Sequence, residues 1–368
     1  MSKRSSPADH DRTRAGRRPR LEDVARRVGL STASVSLVLS NAPGPSAATR
    51  QRVLEAAADL GYRPDRNASL LARRRRHLLG VMMDVRNAFH AELVQHLLRS
   101  AESVSYDLVL SPLAPTHDEQ RAVETLLDFR CEALMLLGPD VPSARLVALG
   151  RQVPVVVVGR RIDAESVDVV RAADDKGVGQ TVDYLAGLGH RRIAFIDGGK
   201  GTIASDRRRG YRTAMRRHQL TDHVRIIPGD HTEEAGTRAA QSMLAARDLP
   251  SAVMASNDRC ALGVLDALNR AGVDVPGSVS LVGYDDSILA RLAHIDLTTV
   301  SQNAREQAEQ AVAAVVERLD SGRATPREVV LNPRLVVRST TGPPRSAVES
   351  DGAAVRPAST NRSRSGSR

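Results

Sequence analysis

A small all-α helix-turn-helix domain followed by a larger α/β portion of two doubly wound, Rossmann-like units is the fold the sequence predicts. Three observations predict it. Two short apolar-periodic stretches flank Gly29 near the front, short apolar runs then alternate with helical patterns twice over, and positive charge is concentrated in the flanks.

In LEDVARRVGLSTASVSLVL, Leu21, Val24, Ala25 and Val28 keep helical spacing and Gly29 supplies a sharp turn. Ser31 is placed to N-cap a second helix whose buried side is Val35, Val38 and Leu39. A third helix follows from Ser46 to Leu60, with Gly61 to stop it. An ordinary three-helix bundle shows the same pattern; the basic stretch YRPDRNASLLARRRRH that comes next argues for more than that. Downstream, the runs at 78–83, 106–111, 133–138 and 153–159 suit parallel strands buried on both faces. Helical patterns such as Ala91 to Ser103 and Glu119 to Phe129 lie between them. The rhythm restarts with runs at 192–198, 224–230, 251–258 and 278–286. Met1 to Arg20 and the segment from Pro343 are poor in apolar residues and read as disordered. The latter holds no leucine heptad of the kind that joins dimers into tetramers.

The 368 residues suffice for two or three domains, and the net charge of +10 is unevenly placed. Residues 1–77 carry 17 Lys/Arg against 7 Asp/Glu, and the segment from Pro343 carries 5 against 2. The stretch between them is slightly acidic, so a polyanion is expected to dock at the front. No amphipathic anchor, secretory signal or apolar run of about 18 residues is present, which predicts a soluble, cytoplasmic protein with no membrane partner. Cys131 and Cys260 form no CxxC pair, so they read as core residues, and no metal or cofactor is expected.

Catalytic motifs are missing. Gly199–Lys200 is followed by Gly201 where a P-loop needs Ser or Thr, and Gly177 with Gly179 is half a dinucleotide fingerprint. There is no GxSxG and no HExxH. His90 and His96, six residues apart, do not share a helix face and read as surface histidines. Asp285 and Asp286 are adjacent and point apart. No enzyme is predicted.

DVARRVGLSTASVSLVLS and RQRVLEAAADLGYRPDRNASLLARRRRHLLGV resemble the DNA-binding half of the lactose/galactose repressor (LacI/GalR) family. The resemblance resumes in ASNDRCALGVLDALNRAGVDVPGSVSLVGYDD and DLTTVSQN, so it covers roughly Leu21 to Thr341 in order. It implies a helix-turn-helix domain at 21–63 after a basic arm at 1–20, a hinge at 64–77, and a two-lobed periplasmic-binding-protein-like sensor at 78–342, with a tail at 343–368. Lobe 1 would comprise about 78–173 and 301–328, and lobe 2 about 174–300 and 329–342. A transporter's solute-binding protein shares the two-lobed cleft, but it would not carry the helix-turn-helix at its front.

By the same resemblance, Thr32, Ala33 and Leu37 touch base edges in the major groove of a pseudo-palindromic double-stranded DNA operator. Leu37 departs from many members, which have a polar residue there; with Ala33 it would favour thymine methyls, unless it is buried in the bundle. Ser31, Arg50, Arg52 and the start of the third helix would position phosphates. Leu71 matches the hinge leucine that two subunits of a homodimer insert into the minor groove, with Arg73 among the charges that DNA neutralises. The other reading of this stretch is a solvated basic linker.

For the sensor, the resemblance assigns Asp258 to accept from effector hydroxyls, Arg207 to pair with polar groups, and Phe89 to form an aromatic wall. Asn87, Asp175, His231 and Asp285 lie at further loops of the cleft. Asp258 also reads as a helix N-cap, and Arg207 as a solvated charge. His231 stands where Trp or Phe is common, and with 3 Phe, 5 Tyr and no Trp the chain has little surface for stacking sugars. A carbohydrate is the default effector, with a small polar or phosphorylated molecule as the alternative. The function implied is transcriptional regulation, as a repressor or, alternatively, as an activator or dual regulator.

Overall fold

The computed structural model describes residues 19–40, 42–62, 75–162 and 166–345, and the chain divides into two compact units at Arg76/His77. Most of the expected arm, Leu71, Arg73 and most of the expected tail lie outside the described residues.

The first unit holds three helices: α1 (Leu21–Val28), α2 (Thr32–Leu39) and α3 (Ala47–Asp59). Gly29 ends α1 in the left-handed region at φ 67°, a conformation that costs glycine nothing, and so permits the tight turn into α2. Val24, Val28, Val35 and Val38, as the apolar spacing predicts, make the shared core together with Val53 of α3.

The second unit contains two parallel sheets. The first takes β1 (Leu78–Asp84), β2 (Asp107–Leu113), β3 (Ala133–Leu137), β4 (Val155–Val158), β5 (Asp168–Ala172) and, much later in the chain, β11 (Glu328–Leu331), in the order β11-β5-β4-β3-β1-β2. Every residue of β3 and β4 is buried, which is why these runs are apolar without alternation. Helices α4 (Ala88–Ser103), α5 (Glu119–Asp128), α6 (Ser143–Gly150) and α11 (Ala304–Asp320) cover this sheet.

The second sheet has the order β7-β6-β8-β9, from β6 (Ile193–Ile196), β7 (Arg225–Ile227), β8 (Ala252–Met254) and β9 (Ser280–Val282). Helices α7 (Asp174–Gly187), α8 (Thr202–Arg217), α9 (Glu233–Ala245) and α10 (Asp258–Arg270) flank it. A small antiparallel pair, β10 (Thr299–Ser301) with β12 (Arg334–Val336), accompanies the crossings between lobes. Because β11 pairs with β5 through Leu331, the first sheet continues past the expected lobe boundary at 328. Cys131 and Cys260 are buried free thiols.

Candidate functional site

The α2 helix has two sharply different faces. Ser31 Oγ accepts from the Ser34 N–H at 3.1 Å and starts the helix. Val35 and Val38 enter the core, while Ser31, Thr32, Ala33, Ser36 and Leu37 are exposed. Leu37 is 45% exposed, which rules out its burial in the bundle. Ser36, which the sequence reading passes over, joins this face because it follows Thr32 by one helical turn.

Arg50 and Arg52 find backbone partners within the bundle. Arg50 donates to the carbonyls of Val38 at 3.3 Å and Ala42 at 3.0 Å, and Arg52 to that of Val28 at 2.9 Å. Those carbonyls lie at or just beyond the C-terminal ends of α2 and α1, where unpaired acceptors attract cations. Both side chains therefore also staple the bundle, with part of each guanidinium engaged by backbone.

In the larger unit the strand order reverses between β1 and β3 and again between β6 and β8. Loops leaving the carboxyl ends at such switch points enclose ligand crevices in open α/β sheets. The two lobes meet across this crevice. Arg291 donates to both Glu92 oxygens at 2.7 and 2.8 Å, and Arg161 stands 3.7 Å from Asp206.

Arg207 is buried rather than solvated. Its Nε donates to Asp174 at 2.8 Å, another nitrogen bonds the Ser256 carbonyl, and its guanidinium lies 3.6 Å over the Tyr284 ring. Burial works against the charge, but Asp174, with Tyr284 and Asp285, holds the Arg207 pKa above its ordinary value. Asp174, not its neighbour Asp175, is thus the inward acid. Asp175 bonds Arg209 at 3.3 Å and lines a groove of about 470 Å³ between α7 and α8, away from its expected place.

Asp258 opens α10, but the N-cap is Asn257, which accepts from the Cys260 N–H at 2.9 Å. The Asp258 carboxylate accepts from Ser287 N–H and Oγ, both at 2.8 Å, and from Thr299 Oγ1 at 2.5 Å. Burial still pushes its pKa up to about 6. Asp285 is buried with φ 119° and accepts from Gln302 Nε2 at 2.6 Å. Burial raises its pKa well above the usual carboxylate range, against the pull of Arg207 and with help from Asp258.

Asn87 caps α4 by accepting from the Phe89 N–H at 3.0 Å. Phe89, expected as an aromatic wall, is 7% exposed and packs in the lobe 1 core with Leu93 and Leu97. The ring that takes part in the cleft is that of His90, a residue the sequence reading dismisses. Its Nδ1 accepts from the Asp84 N–H at 3.1 Å, which leaves the proton on Nε2. His231 approaches from the other lobe and packs where Gly198 has no side chain, since a Cβ there would lie 2.5 Å from the ring. Burial lowers the pKa of each imidazole to about 4, against the pull of Asp84 at His90 and with Arg207 and His90 adding to the effect at His231.

Both histidines are consequently neutral at pH 7. The unfolded chain binds their protons near pH 6.5 while the folded one resists until about pH 4, so their contribution to stability is lost as pH falls through that window. Asp258 acts in the opposite sense, since its raised pKa adds stability as pH falls from about 6. His90→Gln with His231→Gln is expected to flatten the acid-side loss in urea unfolding at stepped pH; an unchanged profile would contradict this placement.

Gly177 is needed for packing and not for a dinucleotide, because a Cβ there would lie 2.6 Å from the Tyr284 hydroxyl. Among the described residues no group of three His, Cys, Asp or Glu side chains is placed to hold a metal ion, and no helix is long and apolar enough to cross a membrane.

Comparison with known proteins matches residues 20–65 to the bacterial regulatory proteins of the lacI family and residues 182–341 to the periplasmic binding protein-like domain. The HTH-type transcriptional regulator GalR of Escherichia coli (strain K12) is 31% identical over 333 residues, covering 88% of this chain and 96% of that protein. A LacI transcriptional regulator from a Rhodococcus species is 44% identical with a TM-score of 0.70, over 72% of this chain and 98% of that one. The lac repressor dimer bound to operator and the anti-inducer ONPF is 26% identical with a TM-score of 0.76, over 89% of this chain and 100% of that one. Helix-turn-helix, paired α/β lobes and full-length similarity agree, and the chain belongs to the lacI family of bacterial transcriptional regulators.

Proposed function

We propose that this regulator acts in the cytoplasm as a homodimeric repressor, binds a pseudo-palindromic operator, and is switched by a small molecule held between its lobes. The observation that carries the reading is the exposed face of α2, where Thr32, Ala33, Ser36 and Leu37 stand free while the opposite face is buried. Leu37 and Ala33 offer only apolar contact, which suits thymine methyls in the major groove. Ser31 lies at the helix N-terminus, where a phosphate is favoured. Leu71 and Arg73 complete the reading as minor-groove wedge and phosphate contact.

The cleft reads as a ligand-binding site. Its buried acids already accept hydrogen bonds from Ser287, Thr299 and Gln302, as polar groups that position a ligand do. Asp258, Asp285 and Arg207, with the Nε2–H of His90, present both acceptors and donors to a polyhydroxylated effector such as a carbohydrate. His231 lines the cleft, and Asn87 serves it by fixing the start of α4.

Leu37→Gln tests the interface. Because the side chain is exposed, unfolding stability should change by no more than about 0.5 kcal/mol. The preferred DNA sequence, selected from a random pool, should change at one position in each half-site. An unchanged preference would remove α2 residue 37 from base recognition.

A further inference from the structure

The effector cleft is joined to the residue at which the sensor begins by a strut fixed at both ends. At its cleft end, Gln302 Nε2 donates to Asp285, and the Gln302 carbonyl accepts from Gln307 Nε2 of α11 at 2.8 Å. Helix α11 then runs 17 residues, about 25 Å at 1.5 Å per residue, with Ala308, Ala311, Val312 and Val315 locked in the lobe 1 core. Its last residue, Asp320, accepts from the Tyr106 hydroxyl at 3.0 Å. The Tyr106 ring lies 4.9 Å from that of His77, whose backbone N–H donates to Glu132 at 3.0 Å.

The far end of the helix is clamped as well. Asp168, fully buried at the start of β5, pairs with Arg318 at 2.7 Å and with Arg323 at 2.8 Å. Three non-glycine residues along the path hold left-handed backbone: Asp285 at φ 119°, Asn303 at φ 55° and His77 at φ 55°. Such conformations persist only where surrounding contacts over-determine them. A disturbance at one end therefore finds strained backbone to release at the other.

We propose that Gln302, α11 and the Tyr106–Asp320 contact form the mechanical link by which occupancy of the cleft sets the conformation at His77, the last residue before the segment leading to the DNA-binding unit. The inference rests on the cleft being the effector site. Gln302, Tyr106 and Asp320 act as positioning residues: none needs to touch effector or DNA.

The test uses the full chain with no ligand, so its failure would leave the effector reading standing. Amide hydrogen exchange is followed by mass spectrometry in Gln302→Met, Tyr106→Phe and the double variant. Gln302→Met should change exchange of residues 77–80 by about 2- to 30-fold, the range expected for coupling through a packed element. Tyr106→Phe should reciprocally change exchange of residues 285–287, and the double variant should show less than the combined effect. Arg305→Ala, on the exposed side of α11, should alter neither end. Effects confined to the mutated end would overturn the proposal. Where Gln302→Met speeds exchange throughout 304–320, Asp320→Asn read at 285–287 decides the matter from the other end.

Discussion

Operator affinity is expected to fall by about 10³–10⁵ between about 50 and 200 mM salt, if the dimer neutralises roughly 6–10 phosphates. The source is the front of the chain, where 17 basic residues face 7 acidic ones, against a slightly acidic sensor. Arg50 and Arg52 contribute less than their position suggests, since helix carbonyls take part of their donor capacity. The burden shifts to the arm and to Arg73 with its basic neighbours. An anisotropy titration of a labelled operator at stepped salt measures the slope; a flat response would refute DNA binding through this charge.

Arg207→Ala is expected to lower the unfolding free energy of the sensor by about 3–5 kcal/mol, because it leaves the Asp174 carboxylate buried without its cation. Loss of effector response would follow from the same substitution, but for a partly structural reason. A double variant, Arg207→Met with Asp174→Leu, should recover most of the stability, since removing a whole buried pair is far milder than halving it. Urea unfolding of the three proteins separates these outcomes. A single-variant loss below about 1 kcal/mol would mean that the pair is not isolated from water.

Much of the architecture was legible because its signals are local. Helical spacing and the caps Ser31 and Ser46 define the three small helices, and continuous apolar runs mark β1, β3 and β4. Strand β5 gave no comparable signal: its DVVRA carries Asp168 and Arg171, whose burial depends on partners more than 140 residues away. Resemblance picks out Asp258, Arg207 and Asp285, and the structure buries all three. It also picks out Asp175 and Phe89, where orientation is a matter of one residue: the neighbour Asp174 bonds the buried Arg207, and the neighbour His90 faces His231 closely enough to affect its pKa. Spacing in a sequence does not resolve which of two adjacent residues faces a crevice when a loop sets their orientation. Leu37 shows the opposite case, because the period of α2 decides its exposure as soon as Val35 and Val38 are assigned to the core.

The return of α11 and β11 to the first sheet has a consequence for synthesis of the protein. Ala308, Ala311, Val312 and Val315 cover apolar residues of β1, β3 and β4, yet α11 begins about 130 residues after β5 ends. At about 5–20 residues per second, the ribosome needs roughly 7–26 s to deliver that cover. Throughout that interval the nascent first lobe displays Met135, Val156, Val158 and Val170 to other chains. The second lobe, whose four strands arrive uninterrupted, can close its own core before the first is complete. Nascent-chain profiling should therefore show holdase chaperones engaging this protein before α11 emerges and leaving once β11 has joined the sheet edge.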